Sequence, residues 1–539
     1  MAAKDWNLRI CYLNAAGFDR EVTVDAEGMA RPADAVRELG IAVRTKKGAG
    51  YLTRRATVCP ASEITLTAVT YELRGVGLED ARALYLNGYN SWTDSVEHDP
   101  HDGMRGLTGV PRAVIDRWVL DSSGDYRFVA QDARPGHQHG FGYGYLRQGA
   151  LTTLFGGLDE DGGFTVIHED LEADVLRFEK EPPRGVLAAG EEREVFSLAL
   201  CRGTFDEAFE CWLKLAGITC REAPALVGYS SWYRHYGNIS ADKLLQDLDE
   251  VITLLGGCEL GACQPVFQID DGYTRVGDWL EYDDARFPKG LAPLAAKTAE
   301  AGLMPGLWLA PFMAEEKSRL YHDHKDWLLH DEAGELVHAG SNWSGAYALD
   351  LDVPEAREYV RTCLSTVTRE WGFRLLKLDF LYAACLLPSA TQNRGQRMAE
   401  ALDFLRSCVP EGTYFDLCGV PLVSAFGRTE YCRIGPDVGL DWDDVPYMRT
   451  LHRERVSTKR SLANTKARAH LDGRVFRNDP DVFFLRRDVK LTDEQRADLL
   501  ASDAMLGGVF FTSDAVGEWD AGQLYDFKLA LKRYVEREA

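Results

Sequence analysis

Ala225–Asp270 reads ALVGYSSWYRHYGNISADKLLQDLDEVITLLGGCELGACQPVFQID, and its pattern decides the fold of the second half of the chain. Leu226–Tyr229 is a short apolar run, followed by a polar loop. Ser240 then suits a helix N-cap, because its hydroxyl can accept an amide left free in the first turn. Leu244, Leu248, Val251 and Leu255 fall on one stripe of the helix that follows. Val266–Ile269 is a second apolar run. The strand–loop–helix unit recurs downstream, with strand candidates at Pro305–Leu309, Leu375–Leu378, Tyr414–Leu417, Tyr431–Ile434, Arg474–Arg477 and Val509–Thr512. Pro354 suits a first helical turn and Gly372 a helix stop. Thr492 and Gln495 have capping-box spacing. Eight such units in about 310 residues predict a (β/α)8 TIM barrel over residues 223–539.

Residues 1–200 follow a different pattern. Glu63–Leu73 alternates with period two, and Leu151–Phe155, Phe164–Ile167, Val175–Phe178 and Val195–Leu200 are further strand candidates. Gly156–Gly157 and Gly162–Gly163 read as turns between them. Many short strands with turn signals predict an antiparallel β-sandwich. Residues 201–222 read as a helical linker.

Composition bounds the function. The 539 residues carry 61 Lys and Arg against 84 Asp and Glu, a net charge of −23. That sign disfavours a phosphate backbone, so no nucleic acid is expected as a partner. No apolar stretch approaches the roughly 18 residues of a membrane span, and no membrane partner is expected. Met1–Asn14 carries Lys4, Asp5 and Arg9 and lacks the apolar core of a signal peptide. The twelve cysteines contain no C-x-x-C and read as reduced thiols of a cytoplasmic protein.

A parallel barrel gathers its chemistry at the C-terminal ends of its strands. The polar and aromatic groups predicted there are Trp232, Tyr233, Asp270, Asp271, Trp308, Lys377, Asp379, Cys418, Gly419, Arg433, Asp437, Asp479, Asp481 and Asp514. Asp479, Asp481 and Asp514 read first as helix caps. Asp379 does not, because it sits in an apolar run where a charge is costly unless paired. Lys377, two residues earlier, points to the same face. Carboxylates beside Trp and Tyr suit a sugar, and two carboxylates across a glycosidic bond are the machinery of its hydrolysis. The pairs His322/His324 and His137/His139 lack zinc-helix spacing, so no metal and no cofactor are expected. Dinucleotide, P-loop and serine-hydrolase motifs are missing from the sequence.

The sequence also resembles the compact bacterial α-galactosidases of glycoside hydrolase family 36, in clan D. The matching blocks are GYSSWYRHY at 228–236, FQIDDGY at 267–273, GLWLAPF at 306–312, LKLDFLY at 376–382, LCGVPL at 417–422, RIGPD at 433–437 and NDPD at 478–481, with NGYNSWTDS at 87–95 in the first half. They keep the family's order over nearly the whole chain. The resemblance implies an N-terminal β-supersandwich, a (β/α)8 barrel and a retaining double displacement. It makes Asp379 the nucleophile and Asp437 the acid/base. Asp270 and Asp271 would grip the 4- and 6-hydroxyls. Lys377 and Arg433 would bind ring hydroxyls. Trp308, Trp232 and Tyr233 would line the wall, and Cys418 and Gly419 would sit near the 2-hydroxyl. Trp92, from the first half, would reach the mouth. Asp379 is expected to stay ionised beside Lys377 and Asp437 to titrate higher.

Two departures stand out. Arg234 precedes His235 where the family has His directly, and the chain stops where the family's C-terminal β-domain would begin. The second leaves part of the barrel open to a partner subunit, as in a homo-oligomer. The expected partner is an oligosaccharide or glycoconjugate carrying terminal α-galactose. Other α-glycosides on the same site, N-acetylgalactosaminide, glucoside or β-L-arabinopyranoside, are the alternatives, together with transglycosylation. A non-catalytic sugar-binding protein and a metal-dependent hydrolase are alternatives of a different class.

Overall fold

The computed structural model describes residues 5–443 and 453–539. Met1–Lys4, where the stretch read for a leader begins, lies outside them.

Two antiparallel sheets form the N-terminal part. The larger has seven strands in the order Ala30–Arg31, Asp19–Val24, Asp5–Asn14, Ile64–Arg74, Val175–Lys180, Thr165–Asp170 and His139–Phe141. The second has six, in the order Ala42–Gly48, Tyr51–Val58, Arg193–Gly203, Leu151–Gly157, Tyr143–Gln148 and Ala83–Leu86. Leu8, Ile10, Val69, Tyr71, Phe155 and Phe178 belong to one apolar core drawn from both sheets. Their alternation along the strands is what a one-sided sheet requires. Gly156–Gly157 is strand rather than turn. A Cβ on Gly156 would lie 2.4 Å from the Trp212 indole, whose Nε1 donates to the Gly157 carbonyl at 3.0 Å. Those glycines thus make room for a helix, Phe205–Ala216, which Thr204 opens with a capping box.

The rest is a curled parallel sheet with helices outside it. Its strands are β1 (Leu226–Ser230), β2 (Gln264–Ile269), β3 (Met304–Leu309), β4 (Leu375–Leu378), β5 (Tyr414–Leu417), β6 (Tyr431–Arg433), β7 (Arg477–Asp479), β8 (Val482–Phe483) and β9 (Val509–Thr512). Their order is β7-β6-β5-β4-β3-β2-β1-β9-β8. The two ends of the ladder are therefore halves of one stretch, separated by Pro480–Asp481. Proline offers no amide to a ladder, and Asp481 has φ +86°. The sheet resembles a TIM barrel but is not fully closed, a correction to the unbroken eight-strand barrel expected. The expected strand at Arg474–Arg477 also lies three residues early. Ser240, Pro354 and Thr492 open their helices at the positions read from the sequence. Ala521–Glu538 is the last described element, and no large β-domain follows it among the described residues.

One apolar core runs from Tyr143 and Trp212 in the N-terminal half to the inside of the parallel sheet. Arg468, fully buried, ties the two halves together. It donates to the carbonyls of Ser91 (2.8 Å) and Ile434 (3.0 Å), to Ser95 Oγ (2.7 Å) and to Asn87 Oδ1 (3.2 Å). A buried guanidinium is tolerated only when its donors are used. Here they pin the Asn87–Ser95 loop over the strand ends.

Candidate active site

A cavity of about 1000 Å³ opens at the C-terminal ends of β1–β4 and β6. Asp270, Asp271, Trp308, Lys377, Asp379 and Asp437 line it, with Trp232 from the β1 loop and Trp92 from the pinned loop. Tyr233, Arg433, Cys418 and Gly419 are not on its wall. They stand behind it: Arg433 supports Asp437, Cys418 and Gly419 lie under Trp92, and Tyr233 holds Asp481 one layer further back.

β2 ends at Ile269, and the backbone then turns through Gly272, at φ +116°. A Cβ there would lie 2.7 Å from the Gly237 backbone, so glycine fits both the conformation and the space. The turn allows two consecutive carboxylates, Asp270 and Asp271, to face one cavity. Asp270 accepts from Lys377 Nζ at 2.9 Å, Gln268 Nε2 at 3.1 Å and Ser230 Oγ at 3.3 Å. Asp271 accepts from Trp343 Nε1 at 2.7 Å. Burial pushes the Asp271 carboxyl up to about 6.

Asp379 follows β4 directly. Its Oδ2 accepts from Trp308 Nε1 at 2.9 Å and its Oδ1 from the Phe380 amide at 2.8 Å. Lys377 pairs with Asp270, not with Asp379. Burial raises the Asp379 carboxyl, and the opposing pull of Lys377 and the Trp308 donor does not cancel it. The pull of Lys377 has the sign expected of it, toward the ionised form. Burial works against the Lys377 ammonium, but the attraction of Asp270, Asp379 and Cys418 together outweighs it and keeps the lysine protonated well above its ordinary range.

Asp437, partly exposed, accepts from Arg433 at 2.7 Å. Arg433 is buried among carboxylates and also donates to Asp479 at 2.8 Å and Asp481 at 3.0 Å. Asp481 further accepts from Tyr233 Oη at 2.5 Å and the Val438 amide at 2.9 Å. Asp479 and Asp481 thus serve a buried charge network rather than helix caps. Asp514 accepts the amides of Leu485 and Arg486 and the Trp519 indole, and is likewise no helix cap.

Trp92 donates to Cys418 Sγ at 3.1 Å. Gly419 has φ +57°, and a Cβ on it would meet the Trp92 ring at 2.8 Å. The indole therefore covers Cys418 and Gly419. Arg234 and His235 turn to Asp247 on the helix Ala241–Gly256, at 3.0 and 2.7 Å. Neither side chain is on the cavity wall. His324 stacks on Trp327 and His139 pairs with Asp125.

Trp343 is the wall residue that the sequence reading missed. It lies in the long excursion between β3 and β4, where a three-stranded antiparallel sheet forms from Met313–Glu315, Ala346–Ala348 and His338–Gly340. Its left-handed backbone, φ +57°, is uncommon for a bulky residue. It leaves no strand-end signal in the sequence. Tyr382, Phe380, residues of the segment Val114–Ser123, Gly340–Asn342, Glu454 and Val456 also line the wall.

Residues 240–404 match the Melibiase family, a stretch that holds Asp270, Asp271, Trp308, Lys377 and Asp379 but not Asp437. The structure of TtGalA, an α-galactosidase from Thermus thermophilus in complex with stachyose, superposes with a TM-score of 0.71 at 29% identity. The superposition covers 92% of this chain and 98% of that one. The GH36 α-galactosidase AgaA from Geobacillus stearothermophilus shares the fold at 15% identity, with a TM-score of 0.58 over 96% of this chain and 69% of that one. The probable α-galactosidase C of Aspergillus flavus is 33% identical over 146 residues, which is 24% of this chain. That match spans about a fifth of the fungal protein's length, 19%. The chain is a homologue of the α-galactosidases of the melibiase fold, in the clan that joins glycoside hydrolase families 36 and 27.

Proposed function

We propose that the protein is a retaining α-galactosidase of family 36 that releases terminal α-galactose from oligosaccharides or glycoconjugates. The observation that carries the reading is the pair Asp379 and Asp437 on the wall of one cavity, with opposite surroundings. Asp379 is buried and fixed by two donors, as a nucleophile must be aimed. Asp437 is half open to solvent and held by one arginine, as a group trading protons with water must be. In the reaction Asp379 attacks the anomeric carbon while Asp437 protonates the departing oxygen. Water, deprotonated by Asp437, then cleaves the glycosyl-enzyme. Carboxylates in this mechanism stand about 5–5.5 Å apart.

Asp270 and Asp271 are proposed to take the 4- and 6-hydroxyls, with Lys377 beside Asp270 and the Trp308, Trp232 and Trp92 rings on the sugar's C–H faces. Arg433, Tyr233, Cys418 and Gly419 act as positioning residues. Because Trp92 covers Cys418 and Gly419, the place expected for an N-acetyl group at the 2-position is filled. That favours galactose over N-acetylgalactosamine. A site built on the axial 4-hydroxyl rejects a misplaced one by up to about 10⁴–10⁵, which sets the preference over α-glucosides.

All twelve cysteines are unpaired, which supports a reducing, cytoplasmic setting. No helix among the described residues is long and apolar enough to cross a membrane. The units are proposed to be residues 1–200, 201–222 and 223–539, and self-association, checked by light scattering, belongs to the same proposal. A panel of nitrophenyl α-glycosides, followed by proton NMR of the first sugar released, tests the function. Hydrolysis of the α-galactoside with release of the α-anomer is expected. A better α-glucoside or α-N-acetylgalactosaminide, or first release of the β-anomer, would overturn it.

A further inference from the structure

Exposure sorts the cavity lining into a floor and a mouth. Asp270, Asp271, Lys377 and Asp379 are buried and form the floor. At the mouth stand Val114 (38% exposed), Val456 (45%) and Trp118 (54%). Val119 and Leu120, half-buried, continue this apolar wall. It is contiguous apolar surface of this kind, rather than a single open side chain, that marks a ligand-binding groove. We propose that this mouth binds an apolar aglycone, an aryl or alkyl group, so that the preferred substrates are α-galactosides of lipid-like or aromatic alcohols rather than of a second sugar. The inference rests on the galactosidase reading above.

Three features support it. First, a cavity of about 1000 Å³ stands at the upper end of the ~300–1,000 Å³ common for small-molecule sites, leaving room beyond one hexose. Second, a second sugar ring needs carboxylates or amides aimed at its hydroxyls. Among the described residues the charged side chain of the lining that is open to solvent is Asp437, already held by Arg433 and assigned to the catalytic pair, and the polar side chains exposed at the mouth are Ser341 and Asn342. Glu454, also on the lining, is already engaged by Thr93 and Tyr126, each at 2.7 Å. Third, the apolar wall is built on purpose. Val119 adopts φ +49° as the cap of Arg112–Trp118, a conformation a β-branched residue avoids, and just there the chain turns so that both Trp118 and Leu120 reach the cavity.

The test compares kcat/KM for methyl α-galactoside, octyl α-galactoside below its micelle concentration, and melibiose. The first two leave as alcohols of similar acidity, so their ratio reads aglycone binding. Each methylene buried is worth about fourfold, so an octyl-to-methyl ratio of about 10 or more is expected. Trp118→Ala and, separately, Val456→Ser should each pull that ratio below about 3. A ratio near 1, melibiose outrunning the octyl galactoside, or a ratio unmoved by Trp118→Ala would overturn the inference while leaving the galactosidase reading intact. No turnover of any of the three would overturn the galactosidase reading, and the inference with it.

Discussion

The Lys377–Asp270 pair offers the sharpest test of how the sugar site is held together. The two charges lie 2.9 Å apart with side chains only 9% and 3% exposed. At an effective dielectric of ~20 their attraction is about 6 kcal/mol, set against the cost of taking both from water. Asp270→Ala removes one partner and leaves a buried ammonium. It also frees the Gln268 amide and the Ser230 hydroxyl, which both point at Asp270. Breaking one side of a buried pair costs about 3–5 kcal/mol. A kilocalorie moves Tm by roughly 2–4 °C in a large domain, so a drop of about 6 °C or more is expected by scanning calorimetry. Adding Lys377→Met should restore much of it, because the uncompensated charge is then gone. A single-variant shift under ~2 °C, or a double variant less stable than Asp270→Ala, would refute the reasoning.

Three further outcomes follow from the roles assigned. Asp379→Gly should abolish turnover with the fold intact, and azide should restore cleavage of an activated α-galactoside as the β-galactosyl azide, identified by NMR. Asp437→Ala should slow substrates with poor leaving groups by about 10²–10⁴ and nitrophenyl galactosides far less, as initial rates on both will show. Asp379 must be ionised to attack, and burial raises its carboxyl, so the acid limb of kcat/KM should lie above the ordinary aspartate range of ~3.9. Lys377 opposes that rise, so Lys377→Met should move the limb to higher pH.

What the sequence could reveal depended on how local each signal was. Ser240, Thr492 and Pro354 act within one helical turn, so their caps were readable. β1–β5 are short buried runs whose apolar composition suffices. β7 and β8 were harder, because Pro480–Asp481 splits one strand into pieces of three and two residues, too short to stand out in a sequence. Asp479 and Asp481 looked like caps because nothing in a linear chain shows that Arg433, 46 and 48 residues away, lies between them. Trp343, Arg468 and Trp118 were invisible for the same reason. Each gains its role from partners distant in sequence, and none sits in a periodic run. Gly156 was misread because a glycine that clears space for Trp212 looks, in sequence, like one that makes a turn.

The central claim is that Asp379 forms the bond to the sugar. A slow α-galactosyl fluoride whose intermediate accumulates, followed by digestion and peptide mass mapping, tests it directly. One galactosyl-derived mass increment is expected on the peptide that carries Asp379, and none on the Asp379→Gly protein. An increment on the Asp437 peptide instead, or turnover with the β-anomer released and no adduct, would contradict it.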